Sequence, residues 1–362
     1  MFLQQVGFTV IAIGILEGVA EAVAGLSKSY FGRQSDVMGK RLPFVQLGYA
    51  LSAISKPLMA VFIFPLWIFF ARTMDRLGKG IRTAARDAML SDEATPATKG
   101  RVFGFNRSMD TFGAVLGPAI ALVFLYYYPG DYKRLFLWSI IPGICVILLT
   151  RFIKEKKKQA AIHSTKPRVS FFVFIHYWKS STAAYKRLVA GLLLFALFNS
   201  SDIFLLLKMK EQGLDDTEVL GIYIFYNLVF AVMAYPVGIL ADKIGLKKIF
   251  LLGLTAFATV YIGFAFNNNL LIFFLLFVLY GFYAAATDGI SKAWITNIVD
   301  KNETATAIGT YTGFQSICAL IASSLCGLLW YNIGAMATFL TTAVITIIVI
   351  IYLSFYKRNA IS

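Results

Sequence analysis

The sequence predicts an all-α membrane protein of two pseudo-symmetric helical bundles with about eleven transmembrane helices. Three observations carry the prediction. The chain of 362 residues is 58% apolar with 33 Phe, more apolar surface than one soluble core buries, so lipid must be part of its solvent. Long apolar windows recur along nearly its whole length. A short charged hinge, Gly32-Arg33-Gln34-Ser35-Asp36-Val37-Met38-Gly39-Lys40-Arg41, returns as Gly238-Ile239-Leu240-Ala241-Asp242-Lys243-Ile244-Gly245-Leu246-Lys247-Lys248, offset by 206 residues (242 minus 36).

Windows near 20 apolar residues suffice to cross a hydrocarbon core of about 30 Å. They fall near 8–31, 44–63, 66–86, 102–126, 135–153, 188–208, 217–240, 247–266, 270–292, 305–330 and 334–356. The expected organisation is an N-terminal bundle over 1–153, a basic linker over 154–187 and a six-helix bundle over 188–362. Basic residues are retained on the cytoplasmic side of a membrane. Arg33, Lys40, Arg41, Arg86, Lys99, Arg101, Lys243, Lys247, Lys292 and Lys357 lie on one side with the linker, against Lys133, Arg134, Lys208 and Lys210 on the other. The hinges, linker and C-terminus are therefore expected in the cytoplasm of a multi-pass protein of the bacterial inner membrane.

That distribution also accounts for the net charge of +15, which needs no nucleic-acid partner. The linker carries one acid, Glu155, among many cations. Its segment Val169–Lys179 reads as an amphipathic stretch lying at the level of anionic headgroups. Cys145, Cys318, Cys326, His163 and His176 have no ligand-like spacing, so neither metal, disulfide nor cofactor is expected. A phosphate-cradling Gly-x-x-x-x-Gly-Lys-Ser/Thr loop, a His-Glu-x-x-His stretch and a Gly-x-Ser-x-Gly elbow are all missing from the sequence, so an enzyme or a nucleotide-driven pump is not expected.

The doubled Gly-x-x-x-Asp-x-x-Gly-Lys-Arg hinge resembles the loop signature of the major facilitator superfamily. Arg76-Leu77-Gly78-Lys79-Gly80 is similar to that family's Arg-x-x-Gln-Gly motif, with Lys for Gln. Gly113-Ala114-Val115-Leu116-Gly117-Pro118 is similar to the Gly-x-x-x-Gly-Pro motif of its antiporter branch, with Ile120-Ala121 where Gly-Gly is usual. The resemblance implies a monomeric secondary transporter that moves a small solute together with protons by alternating access. It also implies that Asp36 and Asp242 are gate parts rather than substrate ligands. The family pattern has twelve helices, whereas this chain begins in what matches the second, so the first is expected to be missing. A transport-inactive receptor or scaffold is the alternative reading.

Ionisable groups in the hydrocarbon cost at least ~2.5 kcal/mol each, so those inside predicted spans are candidates for function. Glu17 and Glu21, spaced i, i+4, share a face with Lys28; they either carry protons or pair with the basic helix at 66–86. Arg72, Asp75, Arg76, Lys79, Arg82 and Arg86 form one stripe of that helix. Asp75 and Arg76, near mid-depth, either couple substrate and protons or lock acids structurally, and Arg82 and Arg86 belong to gates. Arg107 and Asp110 precede Gly113, Gly117 and Pro118, where small residues would let helices approach closely. Asn199-Ser200-Ser201-Asp202 makes Asn199 and Asp202 candidates either for a ligand or for bonds across helices. Asp288 and Lys292 are expected to form a local i, i+4 pair. The hinge residues Gly32, Asp36, Gly39, Lys40, Arg41, Gly238, Asp242, Gly245 and Lys247 complete the gating set, with the four glycines allowing tight turns. The arginine stripe favours an anionic or zwitterionic solute, the antiporter-like motif an amphipathic one and the direction of export.

Overall fold

Short polar signals start the helices. Asp215 and Glu218 form a reciprocal capping box, Thr182 accepts from the Tyr185 amide, and Asn269 accepts from the Leu271 amide. Gly39, Gly245 and Gly334 adopt positive φ (62°, 106° and 102°) at turns between helices, a conformation that costs glycine nothing. The computed structural model describes the backbone of residues 10–62, 64–155 and 173–356, and side chains from residue 23 on except 65, 173, 216 and 217. Among the described residues every regular element is a helix.

In the first repeat, α1 (Val10–Met38), α2 (Leu42–Val61), α3 (Pro65–Glu93) and α4 (Lys99–Tyr127) are followed by the pair α5 (Tyr132–Trp138) and α6 (Ile140–Arg151). A linker helix α7 (Val173–Ser180) precedes the second repeat. That repeat comprises α8 (Ala183–Ala196), α9 (Ile203–Glu211), α10 (Asp216–Ile244), α11 (Leu246–Phe266), α12 (Leu270–Thr296), α13 (Thr304–Ile333) and α14 (Ala335–Ser354). Eight helices among the described residues are long and apolar enough to cross a membrane. Of the other three expected spans, α1 is described only in part, α3 carries the charged stripe, and the third is broken.

That break corrects the expected continuous helix over 188–208. The helix starts earlier, at Ala183, stops at Ala196 and resumes at Ile203. Four consecutive short polar residues, Asn199 to Asp202, compete for backbone hydrogen bonds, and Ser201 Oγ accepts from the Ile203 amide at 3.4 Å.

By contacts the chain divides into two compact units. One comprises residues 1–89, 118–180 and 299–317; the other comprises 90–117, 181–298 and 318–362. In the first unit α3 crosses its neighbours at glycine. A Cβ on Gly78 would stand 2.7 Å from the Gly48 carbonyl of α2, and one on Gly80 would stand 2.9 Å from the Ala24 carbonyl of α1. The glycines of the Arg76–Gly80 motif are thus close-approach positions. In the second unit a packed aromatic core joins Phe195, Phe257, Tyr261, Tyr280 and Tyr283.

Candidate functional site

Asp36, in the last turns of α1, is 7% exposed. Its Oδ2 accepts from the Thr306 amide at 2.7 Å and from Thr306 Oγ1 at 2.8 Å, at the start of α13. Its Oδ1 accepts from the Arg41 guanidinium at 3.0 Å, and Arg41 also donates to the Lys301 carbonyl. A helix start leaves amides without intrahelical partners and carries partial positive charge, so a carboxylate there is bound by both effects.

Asp242, at the end of α10, does the same in the second unit. Its Oδ1 accepts from the Gly100 amide at 2.7 Å and its Oδ2 from the Arg101 amide at 2.8 Å, at the start of α4. Residues 100 and 306 differ by the same 206 positions as 36 and 242. Each repeat's hinge carboxylate therefore clasps the helix start that the other repeat supplies.

The remaining hinge residues divide their roles differently from the expectation. Gly32 and Gly238 are not turn residues: both are helical, and their missing side chains let helices cross. A Cβ on Gly32 would stand 2.5 Å from the Ala305 carbonyl, and Gly238 packs directly on Gly100. Only Gly39 and Gly245 make turns. Lys247 donates to the Ser354 and Tyr356 carbonyls at 2.8 and 2.9 Å, satisfying the exposed C-terminus of α14. Lys99 does likewise for α12 through the Thr296 carbonyl at 2.6 Å. Lys40 is exposed.

Glu155, the lone acid of the linker, accepts from the Arg41 and Leu42 amides at 2.6 and 3.0 Å and so caps α2 beside the first clasp. Of the linker segment expected at headgroup level, residues 169–172 lie outside the described residues, and the described part lays one face on the protein. Over the described residues 174–180, Phe174 and Tyr177 are buried, and Phe174 and Trp178 meet Phe314 edge-on at 5.2 and 5.8 Å. Tyr177 hydrogen-bonds Glu303, just before α13. Burial, then the Glu303 and Asp36 carboxylates, push the Tyr177 phenol up from its ordinary range, so it stays protonated as a donor. Replacing Phe174 and Trp178 together by alanine is expected to cost about 2 kcal/mol. The check is the thermal unfolding midpoint in detergent; an unchanged midpoint would mean that α7 does not dock.

Of the stripe on α3, Arg82 lies over the Tyr49 ring at 4.5 Å and donates to Ser52 Oγ at 2.9 Å, within its own repeat. Arg86 pairs with the fully buried Asp87 at 3.2 Å. Asp75 Oδ1 accepts from Ser55 at 3.4 Å, and Arg72 and Arg76 are half-buried. Glu17 and Glu21 lie on α1, and their side chains fall outside the described residues. Arg107 forms an ion pair with Asp288, which corrects the expected local pair of Asp288 with Lys292, and it faces the Phe230 ring at 5.7 Å. Asp110 is exposed. The expected close packing at Gly113 and Gly117 is not found: both are exposed, as is Pro118, and a Cβ on either glycine would meet nothing within 4 Å. On α4 the close approach is made instead by Gly100 and Gly104.

At the broken helix, Asn199 Nδ2 donates to the Tyr283 hydroxyl at 2.9 Å, and the Tyr280 hydroxyl donates to Asp202 Oδ1 at 2.6 Å. No group of three or more His, Cys, Asp or Glu able to hold a metal occurs among the described residues.

Duplicated helical repeats, each with a hinge carboxylate on a helix start of the other, define a multi-pass membrane protein of the transporter class. The Major Facilitator Superfamily profile matches residues 1–226 and 189–360. An uncharacterized MFS-type transporter of Methanocaldococcus jannaschii is 32% identical over 354 residues, 96% of this chain and 86% of that one. An uncharacterized protein of Mycobacterium tuberculosis is 26% identical over 155 residues, 42% of this chain and 38% of its own. Among solved structures, the human organic anion transporter TETRAN superposes with a TM-score of 0.80 at 14% identity, over 97% of this chain and 87% of that one. FucP, an MFS transporter in its outward conformation, gives 0.75 at 13%, over 99% and 93%. The chain belongs to the major facilitator superfamily.

Proposed function

We propose that this protein is a secondary active transporter that exports a small solute by alternating access, coupled to the movement of protons, with the two clasps as its gate on the hinge side. The observation that carries this reading is their reciprocity. Each clasp ties one repeat to the other through a few charge-assisted hydrogen bonds. Such a contact is strong enough to hold one arrangement and small enough to break when the repeats rock about a central site. The coupling residues are Glu17, Glu21, Asp75, Arg76, Arg107, Asp110, Asn199 and Asp202, with Arg107 held by Asp288. The placement is the inner membrane with the hinge side cytoplasmic, supported by the asymmetry of Lys and Arg. The chain acts as a monomer in contact with lipid. Two solved structures of similar fold are a fucose:proton symporter and a proton:xylose symporter, which supports proton coupling in this reading.

The test is solute efflux from proteoliposomes containing a pH-sensitive dye. Solute movement with stoichiometric proton counterflow, abolished by Glu17→Gln or Glu21→Gln or Arg76→Ala, is the expected result. Solute movement without proton flux would remove the coupling, and no solute movement at all would remove the transport reading.

A further inference from the structure

Three polar side chains, Asn199, Ser201 and Asp202, lie at the break between α8 and α9, all in the second unit. Asp202 is half-buried, and among the described residues its carboxylate takes one side-chain hydrogen bond, from Tyr280, beside a contact with its own amide, and no ion pair. Arg107, on α4 of the same unit, pairs with Asp288 and faces the Phe230 ring. Asn199 has given its amide N–H to Tyr283, and its Oδ1 is buried with no donor. Ser201 is half-buried beside them. The wall is aromatic: Tyr226, Tyr280 and Tyr283 succeed one another with ring centroids 5.0 and 5.2 Å apart.

The chemistry of this set is one-sided. It has a carboxyl group with a second oxygen and a spare amide oxygen, and among the described residues no ion pair to that carboxylate. A carboxylate held away from water is unfavourable unless a positive charge or donors reach it. Three phenol rings add electron-rich surfaces that attract cations and repel anions. The helix is interrupted here, but the amides of residues 197–200 still donate to nearby carbonyls and the carbonyls of Ser201 and Asp202 accept from α9, so what the break offers a ligand is its side chains.

We propose that the Asp202 cluster binds a small organic ammonium ion, its N–H groups shared between Asp202 Oδ2 and Asn199 Oδ1 and its hydrocarbon part set against the tyrosines. The assignment rests on the transporter reading and narrows it. The solute is then cationic, where the arginine stripe of α3 suggested an anionic one; of that stripe, Arg82 and Arg86 have partners in their own repeat.

The experiment is a thermal-shift titration of the purified full chain at pH 7 with three probes of one shape: benzylammonium, benzyl alcohol and benzoate. Benzylammonium alone is expected to raise the unfolding midpoint saturably, since a ligand that binds only the native state stabilises it. Asp202→Asn should abolish the shift, and Asp202→Glu should retain it. Tyr280→Phe, which keeps the ring, should weaken apparent binding by about tenfold through loss of the bond that orients the carboxylate. An equal shift with benzoate or benzyl alcohol, no shift with benzylammonium, or a shift that survives in both Asp202→Asn and Tyr280→Phe overturns the proposal. If Asp202→Asn does not fold, the Tyr280→Phe titration decides. Binding is read here without transport. Loss of the benzylammonium shift in a chain that still moves solute removes only this site, whereas loss of solute movement with the shift intact removes the transport reading.

Discussion

Asp36→Ala is expected to increase, by roughly tenfold to a hundredfold, the rate at which a membrane-impermeant thiol reagent reaches a cysteine placed at Ser29. Ser29 is fully buried on α1 and packs against Gly309 of α13, so it becomes reachable only when those helices part. The carboxylate accepts two hydrogen bonds across that contact, both from Thr306, and a third from Arg41 of its own hinge, which donates on to the Lys301 carbonyl. Bonds to a charged group contribute about 1.5–3 kcal/mol, and each 1.4 kcal/mol is a factor of about ten in population. Asp36→Asn keeps an acceptor oxygen and loses the charge, so its rate should fall between those of the parent and the alanine variant. Asp242→Ala should do the same for a cysteine at Ser108, which is buried against Ala231. The measurement needs Cys145, Cys318 and Cys326 replaced first. Parental rates in both variants would show that the carboxylates do not hold the helices together.

Gly100→Leu and Gly238→Leu should disturb the second clasp more than removal of its acid. A Cβ on Gly100 would stand 2.6 Å from the Gly238 carbonyl, and one on Gly238 would strike the Gly100 backbone. Neither obstacle is a flexible side chain, so the helices must separate, and the Gly100 and Arg101 amides leave Asp242 together. The cost is the overpacking, about 1–3 kcal/mol, on top of the lost bonds. Gly113→Leu and Gly117→Leu on the same helix meet nothing, so each should change stability by less than about 0.5 kcal/mol. Thermal midpoints and Ser108 cysteine labelling of all four variants check the contrast. A midpoint drop for Gly113→Leu as large as that for Gly100→Leu would mean that α4 packs through the wrong glycines here.

The difference between those two glycine pairs shows what could be read from the residues alone. Spans were legible because a bilayer imposes one length and one composition on all of them. The repeat was legible because Gly, Asp, Gly and the basic tail keep their spacing. The partners were not, since Asp36 and Asp242 bind main-chain amides, and an amide leaves no mark in a sequence. A usable signal existed: the same offset that relates the two acids also relates residues 100 and 306. The motif at Gly113 and Gly117 announces small residues without saying whether anything lies beside them. Asp288 was paired by helical spacing with Lys292, and the ion pair with Arg107 on a distant segment prevailed. The amphipathic pattern of the linker was legible, but that Phe174 and Trp178 meet Phe314 was not, because the pattern does not say what covers its apolar face. The break at 197–202 had its warning in four adjacent polar residues within an apolar run.

The exchange of acid for helix start has a consequence for ancestry. Two identical half-length chains, each offering one terminal carboxylate and one set of free amides, would satisfy each other twice about a two-fold axis, the pattern of an isologous dimer. Fusion of such a pair into one polypeptide conserves both contacts while freeing each to diverge, and divergence is visible where one acid grips a threonine and the other a glycine and an arginine.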